Sequence, residues 1–247
     1  MTRQPSIHGE ILGGLGALFF LTFGGVAQGQ PVKQQAEVMP PAQPFVRSVP
    51  IAANTGRFTQ VQPQSALAAK IVAGAKAQLG NIYDASYVRI PYPNGDVLRN
   101  RGLCADVVVR ALRAIGYDLQ QLIHEDRRRY LNLYPKTWGW GRNGPDPNTD
   151  HRCVPNQMFF FQRYGLPLTT EVSPRTLHDW QPGDLVYWDT GSPLRHAGVV
   201  SDSVNASGVP LVIHMSQSRC ELADRLLTWP IIGHFRYPVQ HPSNADR

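Results

Sequence analysis

The chain has 247 residues, of which 42% are hydrophobic and 17% are charged, and its net charge is +6 at neutral pH. This hydrophobic content can form a sizeable core, which excludes disorder of the whole chain. The low charge, with no long run of one sign, excludes a coiled coil, an acidic tail and a histone-like nucleic-acid binder. The positive balance suits a negative partner surface, such as nucleic acid, anionic lipid or cell wall.

Residues 1–27 have the features of a secretory signal peptide. A basic start at Arg3 precedes an apolar stretch over residues 11–26, and small residues at 25–27 offer a cleavage site. An uncleaved membrane anchor is the alternative, because the stretch approaches the length that spans a bilayer. No later segment is long and apolar enough to do so. We therefore expect a periplasmic or secreted protein with no transmembrane segment in the mature chain.

Residues 28–64 predict a flexible linker, since they carry eight glutamines and six prolines and few aromatic residues. The folded domain is expected over residues 65–240. Ser65 is placed to cap a first helix that runs to Leu79 and ends at Gly80.

Helices are predicted first and strands later in the folded domain. Helical spacing predicts a helix from Ala105 to Gly116 and another over Leu119 to Leu133. Residues 123–155 predict an inserted loop region, and a short helix follows over Asn156 to Tyr164. Four β-rich runs are separated by turn residues and lie at 184–189, 196–202, 209–215 and 231–237. This order predicts an α+β fold, with helices packed on an antiparallel sheet.

Cys104 is a candidate nucleophile because it stands just before the helix that begins at Ala105. Unpaired N–H groups and the positive end of the helix dipole stabilise a thiolate there, so we expect a lowered pKa. A small buried hydrophobic residue is the alternative interpretation.

His196 and His214 are candidates for the base that such a nucleophile needs. His196 begins a predicted strand and is followed by Ala197 and Gly198, which leave room for a helix end to approach. His214 ends the next predicted strand. If the two strands pair, His214 can orient the ring of His196 through a hydrogen bond. A satisfied core histidine is the alternative for His214.

The order of these three residues resembles the NlpC-type cell-wall peptidases, a superfamily with a papain-like fold. Leu79-Gly80-x-x-Tyr83 is similar to the family's lead-in to the nucleophile, and residues 181–186 resemble the turn before its histidine strand. The Cys-Ala-Asp-Val sequence and residues 150–152 look closer to an uncharacterised bacterial branch of the superfamily. The resemblance covers about residues 65–237, and Leu103 departs from the family's usual residue before the cysteine.

The resemblance implies a cysteine hydrolase that needs no cofactor and cleaves amide bonds in the stem peptides of peptidoglycan. Cys104 would be the nucleophile, His196 the base and His214 the orienting group. Tyr83 would help polarise the substrate carbonyl, and the backbone N–H of Cys104 would donate to the oxyanion.

Three acidic and basic residues are further candidates for substrate contacts. Asp106 contacts substrate or caps the helix, and the cap is the preferred interpretation. Asp150 and His151 lie in the insert and are adjacent in sequence, so their side chains rarely point the same way. They are therefore predicted to touch substrate rather than to form a catalytic pair. Trp138 and Trp140, also in the insert, either line a groove or pack the loop onto the domain.

If Cys104 is catalytic, Cys153 and Cys220 remain to form a disulfide in an exported protein. Two buried thiols are the alternative. The chain has no CxxC motif and no zinc-finger spacing, so no metal site is predicted.

Two other functions remain open at this stage. One is a non-catalytic module of the same fold that binds the cell wall, and the other is an antibacterial effector amidase that uses the same residues. Nucleic acid is not an expected partner, because the basic residues are scattered and the chain is predicted to be exported.

Overall fold

The structure is a computed structural model that describes residues 58–136, 144–191 and 195–239. The predicted signal peptide, most of the predicted linker, Trp138 and Trp140 lie outside these residues. Among the described residues, no helix is long and apolar enough to cross a membrane.

The described residues form four α-helices, which are α1 (Ala66–Lys76), α2 (Cys104–Arg113), α3 (Leu119–Arg129) and α4 (Val154–Tyr164). Local sequence sets their starts. The Ser65 side chain accepts a hydrogen bond from the N–H of Ala68, and the Asp118 side chain accepts one from Gln120. Both are N-cap bonds that satisfy otherwise unpaired donors of the first turn. Short 3-10 helices add Asp150–Arg152 and Leu177–Asp179.

Nine strands accompany these helices within residues 58–136, 144–191 and 195–239. They are β1 (Thr59–Gln60), β2 (Ile82–Tyr83), β3 (Arg101–Gly102), β4 (Leu166–Pro167), β5 (Leu185–Trp188), β6 (His196–Val204), β7 (Pro210–Met215), β8 (Cys220–Ala223) and β9 (Ile231–Arg236).

Seven of the strands form one antiparallel sheet in the order β4-β9-β5-β6-β7-β8, with β1 also paired to β6. The strands β2 and β3 form a separate parallel pair. Because Thr59 pairs with Val204, sheet structure begins before residue 65, inside the segment predicted as linker. Helices packed on an antiparallel sheet confirm the predicted α+β class.

The two faces of the sheet have separate cores. Side chains alternate along a strand, so Leu185 and Tyr187 of β5 face the helices while Val186 and Trp188 face the other way. The helix-side core includes most of α2. The second core is smaller and contains Trp180 and further residues of the sheet and the following loop, namely Val200, Val212 and Leu226.

Candidate functional site

Cys104 begins α2, as the sequence predicted, and a buried ion pair fixes the chain in front of it. The Asp106 carboxylate accepts a hydrogen bond from the backbone N–H of Leu103 at 2.7 Å. The same carboxylate accepts two bonds from Arg152, whose Nε lies 2.9 Å from Oδ1. The start of the helix is therefore held from its own third residue and from the 3-10 helix that contains Arg152.

The prediction of a lowered Cys104 pKa is wrong. The pKa of the thiol is raised to about 11, chiefly by burial and to a smaller extent by the negative charge of Asp106. Hydrogen bonds from the backbone N–H groups of Ala197, Ala105 and Cys104 itself lower it, but they do not offset the burial. The resting group is therefore a neutral thiol at neutral pH.

Ala197, whose N–H lowers the pKa of the thiol, directly follows His196 at the start of β6. Helix α2 packs against β6. The nucleophile candidate and the base candidate, which are 92 residues apart in sequence, are thus brought together by packing of α2 on the sheet.

The two histidines form the predicted pair. The Nε2 atom of His196 lies 2.9 Å from the Nδ1 atom of His214, and β6 and β7 pair so that Gly198 is opposite His214. Burial, followed by the effect of His214, lowers the pKa of His196 to about 3. The His196 imidazole is therefore neutral at neutral pH and can accept a proton.

Two tryptophans that sequence reasoning missed enclose His196. The ring centroids of Trp188 and Trp229 lie 5.6 and 5.4 Å from the imidazole centroid. A Cβ atom at Gly198 would lie 3.1 Å from the Trp188 ring, which is closer than ordinary contact. Gly198, two residues after His196, therefore leaves room for the Trp188 ring. A glycine this close to the candidate base was the sequence signal that a large side chain packs beside it.

The Cys104 thiol affects the pKa values of two tyrosines. Tyr83 on β2 is partly exposed, and its pKa is raised by burial and then by the charge of Cys104. Tyr187 on β5 is buried, and the same two causes raise its pKa well above its ordinary value. Tyr83 was predicted here, whereas Tyr187 was missed although strand alternation places it on the helix side.

The structure buries Asp106, Asp150 and His151, the three residues that were considered as substrate contacts. Asp106 is occupied by Leu103 and Arg152, as described above. Asp150 is 1% exposed and bonds His124 through Nδ1 at 2.8 Å, and it also binds Arg127. His151 is 2% exposed, and burial lowers its pKa to about 4. Asp150 therefore joins the insert to α3 and stabilises the fold.

The predicted disulfide between Cys153 and Cys220 is also wrong, since all three cysteines are free. Cys220 pairs with Met215 across β7 and β8, and its N–H donates to the carbonyl of Asn81 at 2.8 Å. Cys153 instead precedes α4 at the end of the insert. Packing thus places the two thiols in different surroundings, beside Asp150 in one case and within β8 in the other.

One further side chain reaches the histidine pair. Glu221 on β8 is opposite His214, and its Oε1 atom lies 3.4 Å from the Nε2 atom of that histidine. The contact does not meet the criteria of a hydrogen bond, so Glu221 and His214 are close polar neighbours. Sequence reasoning missed Glu221 because β8 was not predicted. In the part of the chain that the structure describes, no three acidic, histidine or cysteine side chains are grouped to hold a metal ion.

Fold and site together define an α+β protein. The cysteine at the start of α2 lies near a pair of histidines, of which one begins β6 and the other lies near the end of β7. The chain belongs to the family described as "Domain of unknown function (DUF1287)", whose model matches residues 72–237. It is 43% identical over 184 residues to "Uncharacterized protein YijF" of Escherichia coli (strain K12), covering 74% of this chain and 87% of the relative.

Two crystal structures of an N-acetylmuramoyl-L-alanine amidase from Bacteroides uniformis ATCC 8492 are more distantly similar. The first is 12% identical with a TM-score of 0.43, and the second is 13% identical with a TM-score of 0.42. Each match covers 70% of this chain and 99% of the other.

Proposed function

We propose that this protein is an exported cysteine hydrolase of the NlpC type that cleaves amide bonds in peptidoglycan stem peptides. One observation carries the proposal. Helix α2, which begins with Cys104, packs against the strand that begins with His196, and the His196 ring lies 2.9 Å from His214. This supports a nucleophile, a neutral base and an orienting group in one neighbourhood, which is the arrangement that acyl transfer to a thiol requires.

With pKa values of about 11 for Cys104 and about 3 for His196, both groups start neutral and no thiolate–imidazolium pair forms in advance, so the thiol proton moves only during attack. Neutral His196 takes the proton of Cys104 as Sγ bonds to the substrate carbonyl carbon, which forms a tetrahedral oxyanion. The imidazolium then protonates the departing nitrogen, the C–N bond breaks and a thioester remains. Water hydrolyses the thioester with His196 again acting as base, and the thiol is regenerated.

Groups around the thiol can stabilise the oxyanion. The backbone N–H of Cys104 lies at the start of α2, where no carbonyl of the helix accepts from it, and it turns from its own thiol to the oxyanion once Sγ bonds to the carbonyl carbon. The Tyr83 hydroxyl is the second donor in this proposal. Tyr83 is partly exposed, and the negative charge of a Cys104 thiolate raises its pKa.

The substrate class is supported by the motifs in their joint order and by the charge of the chain. A net charge of +6 attracts the protein to an anionic wall. Residues 1–27 as a signal peptide and most of residues 28–64 as a tether would deliver the domain there. These two segments remain predictions of the sequence.

A non-catalytic module that binds the cell wall is the second candidate. The observation that favours it is the Cys104 pKa of about 11, because a thiol that resists ionisation is a weaker nucleophile at neutral pH.

Digestion of purified peptidoglycan separates the two candidates. The wild-type protein, Cys104→Ala and the control Cys153→Ala are compared, with products identified by mass spectrometry. Cys153 is a suitable control because it is also a free thiol but lies in the insert beside Asp150. We expect new peptide fragments from the wild type and Cys153→Ala and none from Cys104→Ala. Retention of all three proteins on the wall without fragments would support the binding module. If the proteins neither release fragments nor stay on the wall, peptidoglycan is excluded as the substrate.

A further inference from the structure

The histidine pair continues to a third side chain that lies outside the proposed triad. His214 is 2% exposed, and its Nδ1 is occupied by His196. Its Nε2 is buried without a hydrogen bond, and Glu221 Oε1 lies 3.4 Å away. Because Glu221 is directly opposite His214 in the pairing of β7 and β8, both side chains are on the same face of the sheet.

The geometry restricts where the protons of the two rings can be. His196 uses Nε2 to contact His214, so Nδ1 is the nitrogen left to accept the thiol proton. A neutral His196 with a free Nδ1 carries its proton on Nε2 and donates it to His214 Nδ1. His214 must then accept at Nδ1 and, when neutral, carry its own proton on Nε2. That proton is the one that faces Glu221.

We propose that Glu221 is a positioning residue that selects the Nε2-protonated tautomer of His214 and, through it, the base-competent tautomer of His196. This inference rests on the proposed function, because it assigns the base of that reaction to the Nδ1 atom of His196. The carboxylate also stabilises the positive charge that the histidine pair gains when the thiol loses its proton.

The charges around Glu221 favour its ionised form. The contact with His214 holds the pKa of Glu221 below its ordinary value, and the positive charges of Arg225 and Arg219 act in the same direction against partial burial. The Glu221 side chain is 37% exposed, so solvent screens part of its charge. We therefore expect a moderate effect on rate rather than loss of activity.

The test combines nitrogen-15 NMR of the imidazole rings with kinetics, using the full chain. The variants are Glu221→Leu, which removes charge and acceptor, and Glu221→Gln, which removes the charge alone. Glu171→Gln is the matched control, since Glu171 is exposed and lies outside the sheet.

In the wild type we expect the His214 proton on Nε2. In Glu221→Leu we expect a mixture of tautomers and a kcat about tenfold lower on peptidoglycan fragments, with KM little changed. Glu221→Gln should keep the tautomer and lose less activity, and Glu171→Gln should match the wild type.

A wild-type His214 that carries its proton on Nδ1 would overturn the inference without any variant, even if Glu221→Leu fails to fold. Unchanged tautomer and kcat in a folded Glu221→Leu would do the same. An inactive wild type with the expected tautomers would instead contradict the proposed function, so the two failures are distinguishable.

Discussion

At the scale of single residues, Cys104 is subject to two opposing effects. The start of α2 offers backbone N–H groups and the positive end of a dipole, an effect of about 0.3–1 kcal/mol near the surface. Desolvation reaches about 3–5 pKa units for a fully buried group, and although Cys104 is only partly buried, a fraction of this shift exceeds the effect of the dipole. Burial therefore determines the sign of the shift, and the pKa of the thiol rises to about 11.

The rate of Cys104 alkylation should consequently increase across the whole accessible pH range. Below the thiol pKa the thiolate fraction grows about tenfold per pH unit, so no plateau is expected between pH 6 and 9. Iodoacetamide labelling with site-resolved mass spectrometry measures this rate and distinguishes Cys104 from the other two thiols. Cys104→Ala provides the baseline. A plateau near pH 7 would mean that the free protein holds a thiolate–imidazolium pair.

At the scale of elements, the start of α2 depends on one carboxylate. Asp106 binds the backbone in front of the nucleophile and also the Arg152 side chain, which is 1% exposed. This interaction joins α2 to the insert. The sequence preference for a helix cap was correct, but the second partner is 46 residues away and has no local signal.

Asp106→Ala should lower the free energy of unfolding by about 3–5 kcal/mol, because it removes the carboxylate from a buried charge pair. Chemical denaturation at pH 7 measures this loss. Asp202→Ala is the control, since its pair with Lys76 is partly exposed and is expected to contribute about 1 kcal/mol or less. Equal losses in the two variants would show that burial does not strengthen the dependence on Asp106.

At the scale of the whole molecule, buried neutral histidines make the fold sensitive to acid. Burial lowers the pKa of His151 to about 4 and that of His196 to about 3. An unfolded histidine titrates near pH 6.5, so between these values the unfolded chain binds more protons than the folded one. The stability these groups contribute is complete above about pH 6.5 and is lost as the pH falls toward 4 and 3.

His151→Leu should therefore flatten the pH dependence of stability between about pH 6.5 and 4. Each buried histidine contributes up to about 1.4 kcal/mol per pH unit in this window, and the variant removes one such contribution. Urea unfolding at several pH values measures the slope. His178→Leu is the control, because the His178 side chain is 76% exposed and should leave the slope unchanged. If the free energy of unfolding of His151→Leu depends on pH with the same slope as that of the wild type, His151 does not remain neutral in the fold.

The sequence by itself determined the features that depend on neighbours along the chain. Caps and glycines placed the helices, alternating apolar runs placed β5, β6, β7 and β9, and the cysteine and histidines were found from their positions in these elements. The α+β class follows from the order of helices and strands. Each of these signals lies within a few residues of the feature it predicts.

Only the tertiary structure decided the features that depend on packing between distant segments. It turned Asp106, Asp150 and His151 inward, left Cys153 and Cys220 as free thiols, and brought Glu221 against His214. It also reversed the expected shift of the Cys104 pKa. The physical reason is the same in each case, because burial and charge pairing depend on what surrounds a group in space, and those surroundings come from other parts of the chain.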